Sequence, residues 1–81
     1  MDDIAAIREA NMALAKRINE EALADPSSPY AGKFVGIANG EVVLVGEDVS
    51  TVLRRLRELE PNNRRTCLVE ASRDYSVVEH V

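Results

Sequence analysis

The fold is decided by one stretch, Lys33-Phe-Val-Gly-Ile-Ala-Asn-Gly-Glu-Val-Val-Leu-Val-Gly46, in which two short apolar runs flank Asn39-Gly40. An Asn-Gly pair between such runs is the strongest short-range signal for a β-hairpin, because a type I′ turn needs positive φ at both central residues. We therefore predict two antiparallel strands of about five residues each, joined at this turn.

The two-residue turn also predicts the register of the hairpin, because side chains alternate between the two faces of a strand. Ile37 should lie opposite Val42, and Val35 opposite Leu44, with all four side chains on one face. Both faces are apolar, so we expect other parts of the chain to cover each of them. The second face would carry Phe34, Gly36, Ala38, Val43 and Val45.

Length and composition describe one small folded domain. The chain has 81 residues, of which 46% are hydrophobic and 30% are charged, as in globular proteins. We predict a single domain over residues 1–81, with an N-terminal helix (1–25), a linker (26–32) and a core (33–81). A domain of this size buries only about 60 to 65% of its unfolded surface, so association with a second copy would add stability.

The sequence carries no signal for export or membrane insertion. No apolar run approaches the roughly 18 residues of a membrane span, and acidic residues stand where a signal peptide has basic ones. Cys67 is the single cysteine, which excludes an internal disulfide and agrees with a reducing compartment. We therefore expect a cytoplasmic protein that does not associate with membranes.

A first helix is predicted over residues 3–24, because alanine is frequent and neither glycine nor proline interrupts the segment. Asp25-Pro26 should end it, since proline disfavours helical geometry in the preceding residue. Residues spaced by three and four form a narrow stripe along one side of this helix. The stripe consists of Ile4, Ile7, Asn11, Leu14 and Ile18.

This stripe has two interpretations. It can form the seam of a homodimer in which Asn11 fixes the register of two helices, and Asn11→Leu should then raise thermal stability. Alternatively, the stripe covers one face of the hairpin and Asn11 lies near the edge of that contact. The first interpretation makes these residues a predicted interface between two copies.

A second helix is predicted from Val49 to Leu59, with Asp48 as its N-cap. Its apolar residues recur at spacings of three and four, so they should cover the other face of the hairpin. Together with the first helix and the hairpin, this helix indicates an α+β protein.

Residues 66–71 have high β-propensity and are predicted to form a third strand. Because a helix precedes this strand, we expect parallel pairing with a hairpin strand through a right-handed crossover. Residues 74–81 are predicted as an edge strand, with a short helix capped by Asp74 as the alternative. The predicted order is α-β-β-α-β, followed by this C-terminal edge strand.

The charge of the chain argues against nucleic acid as a ligand. The net charge is −4, opposite in sign to that of most nucleic-acid-binding proteins. Arginines are nevertheless dense in the second half, and we interpret them as a solvated helix face and loop, with an anionic partner as the alternative. We refer to them as the arginine cluster, which consists of Arg54, Arg55, Arg57, Arg64 and Arg65.

Residues suited to catalysis are scarce. Cys67 is the only thiol and His80 the only imidazole. A catalytic Cys-His pair would therefore have to join these two residues, with Asp74 to orient the histidine. However, Cys67 lies in a predicted apolar strand, where cysteine is usually buried and unreactive. Gly32-Lys33 lacks the other residues of a phosphate-binding loop, and no metal-ligand spacing is present. We therefore expect no catalytic activity, no cofactor and no metal.

Residues 29–71 resemble a widespread family of small uncharacterised bacterial proteins. The shared core reads Tyr-x-Gly-Lys-(Phe or Trp)-Val, an apolar strand, Asx-Gly, Val-Val, a glycine-acidic pair and an amphipathic helix. Some members look as if they are encoded beside retroviral-type aspartyl proteases, and this resemblance implies an accessory or binding role. The matching residues are Tyr30, Gly32, Lys33, Phe34, Val35, Asn39, Gly40, Val42, Val43, Gly46, Asp48, Leu53 and Leu56.

Three functions are compatible with these observations. The favoured one is a non-catalytic protein-interaction or accessory module, a homodimer that uses the first helix and a sheet edge to hold itself or a protein partner. The second is a nucleic-acid-binding or regulatory protein that uses the arginine cluster. The third is a small-ligand binder or an accessory subunit of an enzyme such as an aspartyl protease.

Overall fold

The computed structural model describes residues 3–72, in which two helices pack on opposite faces of a three-stranded sheet. This confirms the predicted α+β class and the order α-β-β-α-β. The predicted edge strand over residues 74–81 lies outside the described residues. The elements are α1 (Ile4–Ala24), β1 (Phe34–Ala38), β2 (Glu41–Gly46), α2 (Val49–Leu59), a 3₁₀ turn (Asn63–Arg65) and β3 (Thr66–Glu70).

The hairpin turns at Asn39 and Gly40, as predicted. Their φ angles are 53° and 80°, which is the left-handed region that a type I′ turn requires at both central residues. Ala38 and Glu41 pair directly on either side of the turn. Asparagine and glycine tolerate this backbone geometry better than other residues, so the local sequence determines where the chain reverses.

The hairpin register changes beyond the first two pairs from the turn. Val43 is the extra residue of a β-bulge in β2, so the predicted pairing of Val35 with Leu44 is wrong. Because one inserted residue reverses the alternation of faces, Leu44 moves to the face of β1 that carries Gly36. The observed pairs are Ala38–Glu41, Ile37–Val42, Gly36–Leu44, Val35–Val45 and Phe34–Gly46.

The space above Gly36 explains the new position of Leu44. A Cβ atom on Gly36 would lie 2.7 Å from Leu44 Cδ2 and 3.3 Å from Leu56 Cδ1. Leu44 therefore fills the space that the missing side chain leaves beneath α2. This tertiary contact favours the bulged register over the regular one.

The third strand pairs with β1 and runs antiparallel to it, in the sheet order β2-β1-β3. The predicted parallel pairing with a hairpin strand is therefore wrong: β3 runs parallel to β2, but β1 lies between them. This arrangement makes β1 the central strand, and both Val35 and Ile37 are fully buried in it. The most apolar strand thus avoids both sheet edges.

The two faces of the sheet have separate cores. On the face of α1, Ile18 and Ala22 pack with Val35, Ile37 and Val69. On the other face, α2 contacts β1 and β2. Its buried side chains are Val52 and Leu56. Each helix therefore covers a different pair of strands, since α1 lies over β3 and β1.

Each helix begins at an aspartate. Asp3 accepts a hydrogen bond from the backbone N–H of Ala6 at 3.2 Å. Asp48 accepts one from the backbone N–H of Thr51 at 3.0 Å. The predicted bounds of α2 and its N-cap are confirmed. These carboxylates satisfy N–H groups that have no partner within the helix.

The Asp48 cap leads to a prediction about acid stability. Hydrogen bonds from the Thr51 hydroxyl and backbone N–H hold the pKa of Asp48 below its usual 3.8. Because the folded-state pKa is depressed, the stabilisation is fully present above the unfolded-state pKa and is lost as the pH falls through the folded-state pKa. Asp48→Asn keeps a capping oxygen without the charge, so its unfolding midpoint should fall less than that of the wild type between about pH 5 and about pH 2.

Thermal unfolding followed by circular dichroism would measure this difference. Asp25 and Glu47 also have lowered pKa values, from a Ser27 and a Lys33 hydrogen bond respectively, and they contribute to the acid response of both proteins. If the unfolding midpoint falls equally in the wild type and the variant as the pH is lowered, the charge of Asp48 adds nothing to stability.

Candidate functional site

Of the predicted catalytic residues, only Cys67 lies within the described part of the chain. Within residues 3–72, no group of three or more His, Cys, Asp or Glu side chains could hold a metal ion. Cys67 is a free, half-buried cysteine in β3, and burial raises the pKa of its thiol. A raised pKa leaves less of the nucleophilic thiolate at neutral pH. The other members of the predicted pair, Asp74 and His80, lie outside the described residues.

The predicted interface stripe of α1 faces the sheet of its own chain. Asn11 and Ile18 are only 1% and 3% exposed, and Leu14 packs against the core beside them. Ile4 and Ile7 are half-buried. A homodimer seam along this stripe stays a prediction, and it would require Asn11 and Ile18 to leave the contacts that bury them.

Asn11 joins three parts of the fold. Its Nδ2 donates to the carbonyl oxygen of Arg65 at 3.0 Å, and its Oδ1 accepts from the backbone N–H of Gly40 at 2.7 Å. A side chain on α1 therefore holds both the hairpin turn and the residue just before β3. The amide suits this position because it supplies a donor and an acceptor together.

Polar groups around the turn extend this connection. Asn39 donates its backbone N–H to the Arg65 carbonyl at 2.9 Å and its side-chain N–H to Glu60 Oε1 at 3.1 Å. Arg65 Nη1 donates to Asn39 Oδ1 at 3.2 Å. We call Asn11, Asn39, Gly40, Glu60 and Arg65 the turn lock. Its polar atoms bond to one another, which indicates a structural role.

The structure divides the arginine cluster. Arg65 belongs to the turn lock, whereas Arg64 is exposed in the 3₁₀ turn. On α2, Arg54 and Arg57 share one surface with Leu53. Arg55 projects about 160° around the helix from Arg57. The five arginines therefore do not form one continuous surface.

Two valines of β2 remain uncovered. Val43 and Val45 are 38% and 42% exposed. Val45 pairs with Val35 and so lies on the sheet face that α1 covers. However, α1 lies mainly over β3 and β1, and of the β2 side chains on that face Val42 packs against the core while Val45 remains exposed. We call Val43 and Val45 the valine edge.

A second apolar surface lies on α1, away from the sheet. Met12 is 66% exposed, although its neighbour Asn11 is buried. A shallow depression surrounds Met12, and we call its lining the outer face of α1. This face consists of Ala5, Arg8, Glu9, Met12, Ala13 and Lys16.

Sequence reasoning identified neither of these surfaces. The valine edge depends on the bulge at Val43 and on the lateral offset of the two helices. The outer face has only a weak signal in the sequence, because the more hydrophobic stripe on the opposite side of α1 dominates the pattern. The sequence signal for the outer face is Met12, a large apolar residue that lies outside the main stripe and next to Ala13.

No helix within residues 3–72 has the length and apolar character needed to cross a membrane.

Comparison with known proteins identifies the family of the chain. No curated protein and no solved structure matches the chain. One family model matches residues 27–71, which include the hairpin, α2 and β3 but not α1. Because this match spans more than half of the sequence, the chain belongs to DUF5678, a family of unknown function.

Proposed function

We propose that the protein is a non-catalytic, cytoplasmic interaction module that forms a homodimer and binds a protein partner. The observation that supports partner binding is the valine edge, where two apolar side chains remain exposed on a strand at the border of the sheet. Most other valines and isoleucines of the sheet are buried or half-buried, so this exposure is local. Uncovered apolar side chains on an edge strand suit contact with another chain.

The backbone of β2 supports the binding of an extended segment. Within residues 3–72, β2 has β1 as its only neighbouring strand. Its outer edge can therefore hydrogen-bond to an added strand, whose side chains would contact the valine edge. The bulge at Val43 makes the pairing irregular and limits indiscriminate association.

The charges beside the valine edge specify the partner further. Glu41 is exposed at one end of β2, and Asp48 and Glu47, which pairs with Lys33, are exposed just beyond the other end. Opposite charges across paired strands are favourable, whereas like charges are unfavourable. We therefore assign to this edge a protein segment with an apolar centre and basic residues at both ends.

The same charges disfavour pairing between two β2 strands. An antiparallel arrangement that places Val43 opposite Val45 of a second copy also places Glu41 opposite Glu47. Like charges directly opposite each other destabilise such a pair. The homodimer should therefore use a different surface and leave the valine edge available to the partner.

A synthetic peptide tests this proposal. The probe has alternating valine and threonine residues with a lysine at each end, and the control peptide has glutamate at both ends. Binding of the lysine-ended peptide, measured by fluorescence polarisation, should weaken about tenfold when Val43→Thr and Val45→Thr are combined, because the apolar contact is reduced. Threonine retains the β-branched shape of valine, so the strand should persist.

Val49→Thr is the matched control, since Val49 is 40% exposed but lies on α2. It should bind the lysine-ended peptide as the wild type does. Equal binding of the two peptides, or no effect of the double substitution, would overturn the assignment of the valine edge.

The exposed arginines of α2 and the 3₁₀ turn support nucleic-acid binding as a second candidate function. Arg54, Arg55, Arg57 and Arg64 are exposed, and no ion pair is found for them within residues 3–72. Binding of this kind should weaken steeply with added salt, because phosphate contacts release counterions. Titration of duplex and single-stranded DNA and RNA at low salt would reject this function if no binding is seen.

A further inference from the structure

The outer face of α1 carries the most exposed large apolar side chain of the described residues, Met12. Its apolar neighbours are Ala5 and Ala13, which are small enough to let another helix approach closely. The opposite side of α1 is held against the sheet by Asn11. The outer face can therefore meet another molecule without disturbing the core.

Two of the three charged residues on this face, Glu9 and Lys16, lie on either side of Met12, and the third is Arg8. Glu9 lies about one turn before Met12, and Lys16 lies about one turn after it. The two side chains are about 10 Å apart along the helix, too far to pair with each other. Within residues 3–72, neither of them forms an ion pair.

We propose that the homodimer forms by antiparallel packing of the outer face of α1 against the same face of a second copy. This inference rests on the proposed self-association and names its surface. In this arrangement Glu9 of each copy faces Lys16 of the other, and Met12 packs beside Ala13 near the twofold axis. A parallel arrangement would place Glu9 against Glu9 and Lys16 against Lys16, so charge favours the antiparallel one.

The twofold symmetry explains why association stops at two copies. Each chain contributes the same surface, and that surface is occupied once the pair has formed. The valine edge belongs to the sheet, so it remains open to the partner described above. One chain can then use α1 for self-association and β2 for recognition.

Charge reversal tests the antiparallel arrangement. Sedimentation equilibrium at low salt should show that Glu9→Lys alone and Lys16→Glu alone each weaken the dimer by about tenfold, because each creates two repulsive pairs across the axis. Combining the two substitutions should restore the wild-type affinity. Glutamate and lysine both favour helix, so α1 should remain folded.

A second pair of variants distinguishes the proposed dimer surface from self-association itself. Met12→Lys should give a monomer, whereas Leu59→Lys should still dimerise, since Leu59 is also exposed but lies at the end of α2. A dimer that survives Met12→Lys and both single reversals would overturn this surface but not self-association. A wild-type chain that sediments at 8.9 kDa at micromolar concentration would overturn both.

Discussion

Replacing Asn11 with leucine is expected to lower the free energy of unfolding by about 2 to 3 kcal/mol. The side chain is 1% exposed and bonds to the Gly40 N–H and the Arg65 carbonyl. Leucine occupies a similar volume but cannot bond to either group, and a buried polar group without a partner is costly. The Arg65 carbonyl retains the Asn39 N–H, so most of the loss comes from Gly40.

Urea denaturation at a concentration that keeps the protein monomeric measures this effect. Met12→Leu is the control, because the neighbouring side chain is exposed and its replacement should change stability by less than about 0.5 kcal/mol. The sign separates the two interpretations of Asn11. A rise in stability after Asn11→Leu would contradict its role in the turn lock and favour a helix seam.

Truncating Ile37 to alanine should cost about 3 to 4 kcal/mol. Ile37 is fully buried in the central strand, where it pairs with Val42 on one side and Cys67 on the other. Removing its side chain deletes apolar contacts and leaves a cavity beneath α1. Small domains have only about 5 to 15 kcal/mol of stability in total, so the variant should be close to unfolding at moderate temperature.

Val43→Ala provides the comparison within the same hairpin. Val43 is 38% exposed at the bulge, so its truncation should cost less than about 1 kcal/mol. Equilibrium denaturation of both variants in urea gives the difference directly. Similar losses for the two substitutions would mean that β1 is not the buried centre of the sheet.

Much of the fold could be predicted because its signals are local. Asn39-Gly40 specifies the turn through the backbone geometry that these residues tolerate. Asp48 and the period of the following residues specify α2 in the same way, since a cap and an apolar stripe are both written into a few neighbouring positions.

The errors arose where distant residues decide the structure. The bulge at Val43 follows from the packing of Leu44 between Gly36 and Leu56, which come from three different elements. The pairing of β3 with β1 depends on which sheet edge the chain reaches after α2. Neither property has a signal in the sequence near the residues concerned.

The same distinction applies to the candidate surfaces. The sequence marked Asn11 as unusual because it interrupts an apolar stripe, but its partners Gly40 and Arg65 lie 29 and 54 residues away. The sequence indicates only a solvated charge at Arg65, whereas in the structure Arg65 belongs to the turn lock. The valine edge arises only after the bulge and the offset of the helices are known.

Isotope-filtered NOE spectroscopy on a mixture of labelled and unlabelled chains is the most direct test of the position of α1. It shows whether the side of α1 that carries Asn11 packs against the sheet of its own chain. We predict that contacts between the Asn11 side-chain amide and the Gly40 N–H occur only within a chain. Contacts between chains should instead join Met12 to Ala13. Contacts between chains that involve Asn11 would contradict this placement of α1.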